Sequence, residues 1–202
     1  MFTGIIESLG SLQAVEAVGG DMRLTVTASD GYLQGANLGD SIAVSGVCLT
    51  AVQFVEGGFV ADVSSETLAA TTAQHWRQGQ PVNLEKALTP HKSLGGHLVS
   101  GHVDGVGQLV EKHEDARGWR LSFEAPVGIA KYIARKGSIT IDGISLTVNT
   151  VQGRQFGVMI VPHTWQHTTL GTLAVGESVN LEVDLIARYL ERLLAAREEG
   201  LT

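Results

Sequence analysis

Apolar and polar residues alternate with period two over Met22-Arg23-Leu24-Thr25-Val26-Thr27 and over Arg120-Leu121-Ser122-Phe123. That is the pattern of strands with one face in a core. Ser41-Ile42-Ala43-Val44 continues past Gly46 into Cys48-Leu49-Thr50-Ala51-Val52, and Ser138-Ile139-Thr140-Ile141 continues past Gly143 into Ser145-Leu146-Thr147-Val148. A glycine inside such a pattern predicts a bulge or a close approach of another group to the backbone. One or two helical turns are expected after Glu66-Thr67 and after His163-Thr164. Only the tail changes period. Ile186, Tyr189, Leu190, Leu193 and Leu194 share one helical face, with Asp184 as N-cap and Gly200 just past the end.

The second half of the pattern repeats the first. Displaced by 97 residues, the chain aligns with itself without a gap from Gly4 over Gly101 to Leu88 over Leu185. Identical pairs include Gly10/Gly107, Arg23/Arg120, Ser41/Ser138, Gly46/Gly143, Thr50/Thr147, Phe59/Phe156 and the block Val82-Asn83-Leu84-Glu85 over Val179-Asn180-Leu181-Glu182. Two long copies mean duplicated domains rather than a solenoid. Many short strands with glycine turns indicate small closed antiparallel barrels. The expectation is an all-β fold of two like barrels and one C-terminal amphipathic helix. The helix either packs back on its own barrels or joins subunits.

Composition narrows the function classes. With 202 residues, 44% of them hydrophobic, each copy can close one small core. A net charge of -7 argues against a nucleic-acid partner. No apolar run is long enough to span a membrane. The stretch Met1-Phe2-Thr3-Gly4-Ile5-Ile6-Glu7 lacks the features of a secretory signal, and the lone Cys48 fits a reducing compartment. A cytoplasmic location is expected.

Candidate chemistry gathers at the junction of the copies. Pro90-His91-Lys92-Ser93-Leu94-Gly95-Gly96-His97 is short for a flexible tether and predicts a defined shape. His97 and His102 stand five residues apart. They suit proton transfer, a metal pair with weak support from Asp104, or plain strand-end hydrogen bonding. No Cys or third His lies nearby at ligand spacing, so no metal is assigned.

The copies differ where chemistry would differ: His102 replaces Ile5, Ser145 replaces Cys48, His163 replaces Glu66, Val99 replaces Phe2, Lys136 replaces Gly39 and Asp184 replaces Ala87. Two similar pockets with unequal polar groups fit one molecule treated in two ways. Gly-x-x-Leu-Thr, kept in both copies, would set a small polar side chain beside free backbone amides, suited to the edge of a flat heterocycle. Dinucleotide, P-loop, Cys-x-x-Cys and nucleophile-elbow motifs are missing.

The start Met1-Phe2-Thr3-Gly4-Ile5-Ile6-Glu7, the repeated Gly-x-x-Leu-Thr, the junction Gly95-Gly96-His97-Leu98-Val99-Ser100-Gly101-His102-Val103-Asp104 and the run Ile141-Asp142-Gly143-Ile144-Ser145-Leu146-Thr147-Val148 together resemble the riboflavin synthases of the alpha-chain type. The resemblance implies two six-stranded Greek-key barrels, residues 1–97 and 98–184, and an assembly helix, residues 185–202, that forms a homotrimer. Each barrel would hold one 6,7-dimethyl-8-ribityllumazine. A four-carbon unit would pass between them to give riboflavin and 5-amino-6-ribitylamino-uracil, with no metal or other cofactor.

Carried over by motif, His102 and His97 become the proton-transfer candidates, supported by Ser41, Cys48 and Asp184. Phe2, which has no evident core, would cover a ring, and Lys136 would contact or stabilise the ligand. Contacts from the first barrel would be Gly4, Ile5, Ile6, Cys48, Leu49, Thr50, Asp62, Val63, Ser64, Ser65, Glu66 and Thr67. Those from the second would be Gly101, His102, Val103, Lys136, Ser145, Leu146, Thr147, Met159, Ile160, Val161, Pro162, His163 and Thr164. His163 departs from the acid that relatives often carry there.

The alternative is a lumazine protein, a related binder that holds one chromophore without reacting it. Its second pocket is typically altered, whereas both motifs and both junction histidines are intact here. A barrel serving only as an interaction module would explain the duplication but not the polar junction.

Overall fold

The computed structural model describes residues 1–201. The first copy folds into β1 (Ser8–Val18), β2 (Asp21–Thr27), β3 (Ser41–Val44), β4 (Val47–Val55), β5 (Gly58–Val63), helix α1 (Ser65–Ala70) and β6 (Pro81–Lys86). The second gives β7 (Gly105–Asp115), β8 (Gly118–Glu124), α2 (Val127–Ala130), β9 (Ser138–Ile141), β10 (Ile144–Gln152), β11 (Gln155–Ile160), α3 (Pro162–His167) and β12 (Ser178–Val183), and α4 (Leu185–Glu198) follows.

Both barrels close, in the orders β1-β2-β5-β4-β3-β6 and β7-β8-β11-β10-β9-β12. After the hairpin run β3-β4-β5, β6 returns beside β3, which is a Greek key. The copies share their irregularities too. Register shifts between Leu12 and Ala14 and between Ala51 and Gln53 recur between Leu109 and Glu111 and between Val148 and Thr150. Such bulges bend strands enough to close a small barrel.

The alternating side of each strand fills its core. Leu24 and Val26 are wholly buried, as are Leu121 and Phe123 in the second copy. Tyr32 and its counterpart Ile129 plug equivalent places. Ile129 sits on α2, which the sequence pattern did not predict because Val127-Gly128-Ile129-Ala130 is too short to display a period.

Gly46 and Gly143 do not mark bulges. Ser45-Gly46 and Asp142-Gly143 are two-residue hairpin turns with positive φ at both positions (43° and 81°, 47° and 80°). The expected close approach is present, and it comes from the other copy. A Cβ at Gly46 would lie 2.7 Å from the Gly143 nitrogen, and one at Gly143 would lie 2.8 Å from the Gly46 nitrogen. The two turns meet back to back on a local two-fold axis.

The rest of the interface obeys the same symmetry. Phe2 and Val99, equivalent positions, exchange backbone hydrogen bonds of 2.7 and 3.1 Å. The Asn83 amide nitrogen donates to the Asp142 carbonyl (3.0 Å), and that of Asn180 donates to the Ser45 carbonyl (2.9 Å). These are buried polar groups, satisfied only across the interface, so they fix one relative orientation of the barrels.

The segments leading into the barrels cross over. Ile6, ahead of the first barrel, packs on the core of the second, and Val103, ahead of the second, packs on the core of the first.

Helix α4 begins where predicted, its Ile186 N–H capped by the Asp184 carboxylate at 3.0 Å, and Gly200 turns left-handed after it. Its apolar stripe does not pack on the chain's own barrels: Ile186 is 72% exposed and Leu193 64%. No helix of the described residues is long and apolar enough to cross a membrane.

Candidate active site

Crossing of the lead-in segments builds two like sites, each from both copies. The first, a cavity of about 240 Å³, takes Cys48 from β4 and Glu66 and Thr67 from α1, and its wall is completed by Gly101, His102 and Val103 from the far lead-in. The Cys48 N–H donates to the Gly101 carbonyl at 2.9 Å. Gly101 has φ 79°, and a Cβ there would stand 2.7 Å from that of Cys48, so only glycine brings the segment this close. Cys48 is half-buried and the His102 ring is exposed to the pocket.

The same crossing is made beside Ser145 in the second copy. The Ser145 N–H donates to the Gly4 carbonyl at 2.7 Å. Gly4–Ile6 therefore belong beside Ser145, and Gly101–Val103 beside Cys48, the reverse of the expected allocation to barrels. A second expectation also changes. In Gly-x-x-Leu-Thr, the amides of Cys48 and Ser145 are occupied by the crossing segments and are not free to read a ligand edge.

Each crossing segment is held by a buried glutamate at the end of the repeated Val-Asn-Leu-Glu block. Glu85 accepts from Thr3 N–H (2.7 Å), Thr3 O–H (2.6 Å) and Gly4 N–H (2.9 Å). Glu182 accepts from Ser100 N–H (2.7 Å), Ser100 O–H (2.6 Å) and Gly101 N–H (2.9 Å). Three donors on one carboxylate compensate its loss of water. Sequence reasoning missed these glutamates and the two asparagines, although the recurrence of the block was the signal.

The histidines separate in role. His97 Nδ1 lies 2.7 Å from Ser145 Oγ, and its Nε2 is buried with no partner among the described residues. Burial holds its pKa below the ordinary imidazole range, partly opposed by the Asp184 carboxylate, so the ring is neutral and able to accept a proton at neutral pH. His102 faces the other pocket.

Phe2 does have a core. It is wholly buried between the barrels with Ala43 and Val99, in contact with Cys48 beneath the first pocket. A ring in that position backs Cys48 and does not cover a bound ring from outside.

Ser41, Asp184 and Lys136 do not line the first pocket. Ser41 lines a separate cavity of about 570 Å³ with Ala87, His91 and Lys92. Asp184 lines another of about 640 Å³ with Ser138, Tyr132 and residues of α4. Lys136 is exposed, with φ 69° where its counterpart Gly39 has 91°. A lysine in left-handed backbone is strained, a condition that collects at functional positions.

Among the ligand-contact candidates, Asp62 is engaged by Arg23 through two hydrogen bonds of 2.7 and 2.9 Å, which hold its carboxyl below the usual range. Val63 and Ile160 turn their side chains into the cores, and Leu49 is nearly as buried. Leu146 and Met159 are half-buried; Thr50, Thr147 and Val161 are exposed. Ser64 caps α1, and the Ser65 N–H donates to Asp21 at 2.8 Å. Pro162 starts α3, where Thr164 is half-buried and His163 stacks on His167 at 4.2 Å. Trp165 in α3 stacks on Trp119 at 4.1 Å, a pair no repeat signal announced because neither has an aromatic counterpart.

Comparison with known proteins agrees with this duplicated architecture. The lumazine binding domain family matches twice, at residues 3–87 and 100–184. Riboflavin synthase of Photobacterium phosphoreum is 47% identical, covering 96% of this chain and 89% of that protein. Riboflavin synthase of Mycobacterium bovis is 46% identical, covering 96% and 98%. That of Bacillus subtilis is 38% identical, covering 100% and 94%. Among solved structures, LumP complexed with riboflavin shares the fold with a TM-score of 0.85 at 23% identity, covering 91% of this chain and 99% of that one. LumP complexed with 6,7-dimethyl-8-(1'-D-ribityl) lumazine gives 0.82 at 23%, with the same coverage. Two lumazine binding domains in series, and full-length relatives at 38% to 47% identity, place this chain in the riboflavin synthase family.

Proposed function

We propose that the chain is an enzyme that converts two molecules of 6,7-dimethyl-8-ribityllumazine into riboflavin and 5-amino-6-ribitylamino-uracil. The observation that carries this beyond family membership is the pair of crossed sites. They have one backbone plan but unlike polar groups: Cys48 with His102 in the first, Ser145 with His97 in the second. A dismutation needs that inequality, since one ring gives the four-carbon unit and the other takes it.

Chemistry starts with loss of a proton from the methyl group at C7 of one lumazine. The carbanion, its charge spread into the ring system, attacks the partner. A neutral imidazole beside the methyl accepts the proton and later returns one, and orientation of two stacked rings supplies much of the remaining acceleration. His102 and His97 are assigned the proton transfers, Cys48 and Ser145 contacts at the ring edges, and Lys136, Ser41 and Asp184 polar support. Residues 1–97 and 98–184 form the two lumazine-binding units, with residues 185–202 for assembly.

The two sites of one chain are built around different segments, Gly101–Val103 at Cys48 and Gly4 at Ser145, and the reacting rings are assigned to a junction with a neighbouring subunit. The exposed stripe of α4 supports a homotrimer in which the first pocket of one subunit meets the second pocket of the next. The single cysteine, unable to form an intrachain disulfide, fits a cytoplasmic location.

LumP complexes share the fold, so fold alone does not separate an enzyme from a carrier; the intact Gly-x-x-Leu-Thr motif in both copies and the two junction histidines favour the enzyme. His102→Gln tests the assignment. Riboflavin formation should fall by about two to four orders of magnitude, with lumazine affinity changed only a few-fold. An equal loss in turnover and affinity would make His102 a binding residue only.

A further inference from the structure

The groups that hold His102 in the first pocket include one from an unexpected element. Arg188 lies in the first turn of α4. Its Nη2 donates to the His102 carbonyl at 2.7 Å and to Asp104 Oδ2 at 2.8 Å. Nη1 reaches Ser100 Oγ at 3.5 Å, and Nη2 stands 3.9 Å from Glu182 Oε1. Glu182 is almost fully buried and already accepts from both backbone N–H groups ahead of His102. The guanidinium therefore closes a ring of contacts around Ser100, Gly101 and His102: carboxylate on the N–H side, cation on the C=O side.

The other half of the molecule has the same device with a lysine. Lys92 Nζ lies 2.7 Å from Glu7 and 3.1 Å from Glu85, the counterparts of Asp104 and Glu182. Its remaining acceptor is the Lys86 carbonyl at 3.4 Å, and among the described residues it makes no hydrogen bond to Thr3, Gly4 or Ile5. An ammonium is a point charge, whereas a guanidinium presents a planar fork that can hold an anion and a carbonyl together. Only in the pocket that carries a histidine at the tip of the crossing segment does the cation reach the segment's own backbone. The Arg188 Nε–H is buried without an acceptor among the described residues, so the group is aimed by the contacts it does make rather than by full satisfaction of its donors.

We propose that Arg188 is a positioning residue, which fixes the backbone of His102 in the first pocket and ties that pocket to α4, the helix whose exposed face is assigned to assembly. The assignment rests on the first pocket being a lumazine site. Docking of α4 against a neighbour then also steadies the proton-transfer residue, through a chain of four contacts on one side chain.

The test uses the full-length chain with Arg188→Ala and Arg188→Lys, with assembly checked by sedimentation. In Arg188→Ala, kcat should fall about tenfold or more while KM moves less than about threefold, and Arg188→Lys should recover part of the loss. Amide hydrogen exchange should quicken at Ser100 to His102 by about tenfold and stay unchanged at Thr3 to Ile5. A kcat within about twofold of wild type in an assembled Arg188→Ala protein, or unaltered exchange at those amides, would overturn the proposal. If the wild-type chain makes no riboflavin, the functional reading fails, while the exchange result still decides whether Arg188 holds the segment. Should Arg188→Ala fail to assemble, Asp104→Asn removes one anionic partner of the guanidinium and leaves α4 intact, with the same outcomes expected.

Discussion

At the residue scale, Asp142 shows how far duplicated positions can diverge in physics. Its counterpart Ser45 accepts from the Asn83 N–H through a hydroxyl, and Asp142 accepts from the Asn180 N–H at 2.8 Å through a carboxylate. Burial pushes its pKa up to about 7 from 3.8. Below about pH 4 the group is neutral in folded and unfolded chains alike, and no charge is buried. Between there and about 7 the unfolded chain ionises while the folded one stays protonated, so stability falls as pH rises and levels off once the folded group ionises too. Asp142→Asn keeps the acceptor, and asparagine tolerates the left-handed turn. It should therefore be more stable than wild type at pH 8, by on the order of 2 kcal/mol, with the gap closing towards pH 4. Thermal unfolding at both values checks this; an equal gap at both would refute the buried-charge account. Little of it was legible beforehand. Asp142-Gly143 reads as a turn, but burial at the turn comes from Gly46 arriving from the other copy. The pairing of His97 with Ser145 was hidden because nothing in the spacing shows that the start of the second lead-in lies against β10.

At the element scale, the strands were legible wherever one face meets a core, because alternation records burial directly. The four-residue α2 was not, since no period fits in its length. The stripe on α4 was legible to the residue, while what it packs against was not. Amphipathicity specifies that a face will be covered and is silent on whether the cover is the same chain or another. The structure excludes the chain's own barrels, which leave Tyr189 66% exposed and Leu190 55%. Leu193→Glu puts a charge into that face and leaves Arg188 and the Asp184 cap untouched. It should dissociate the assembly with the barrels still folded and lumazine still bound, and turnover should fall by about a hundredfold or more as the two unlike pockets part. Sedimentation beside a riboflavin assay decides; full activity in a monomer would show that the pockets do not need a neighbour.

At the scale of the whole molecule, the repeat announced two like barrels, and the pairs of copied bulges and turns bear this out. It did not announce that the barrels exchange their lead-in segments. An alignment of one copy on the other is unchanged by such an exchange, so the register was right and the allocation of Gly4–Ile6 and Gly101–Val103 was reversed. That exchange makes each pocket a product of both copies, so the interface asparagines and glutamates matter to the sites as well as to the fold. The central claim is that two such pockets, alike in frame and unlike in chemistry, process one compound in two ways. Its most direct test is to incubate the purified chain with 6,7-dimethyl-8-ribityllumazine alone and follow both the loss of lumazine and the gain of riboflavin. Formation of one riboflavin for every two lumazines consumed, with nothing else added, is the predicted result. Tight binding without conversion would contradict the account and make the chain a carrier of the compound.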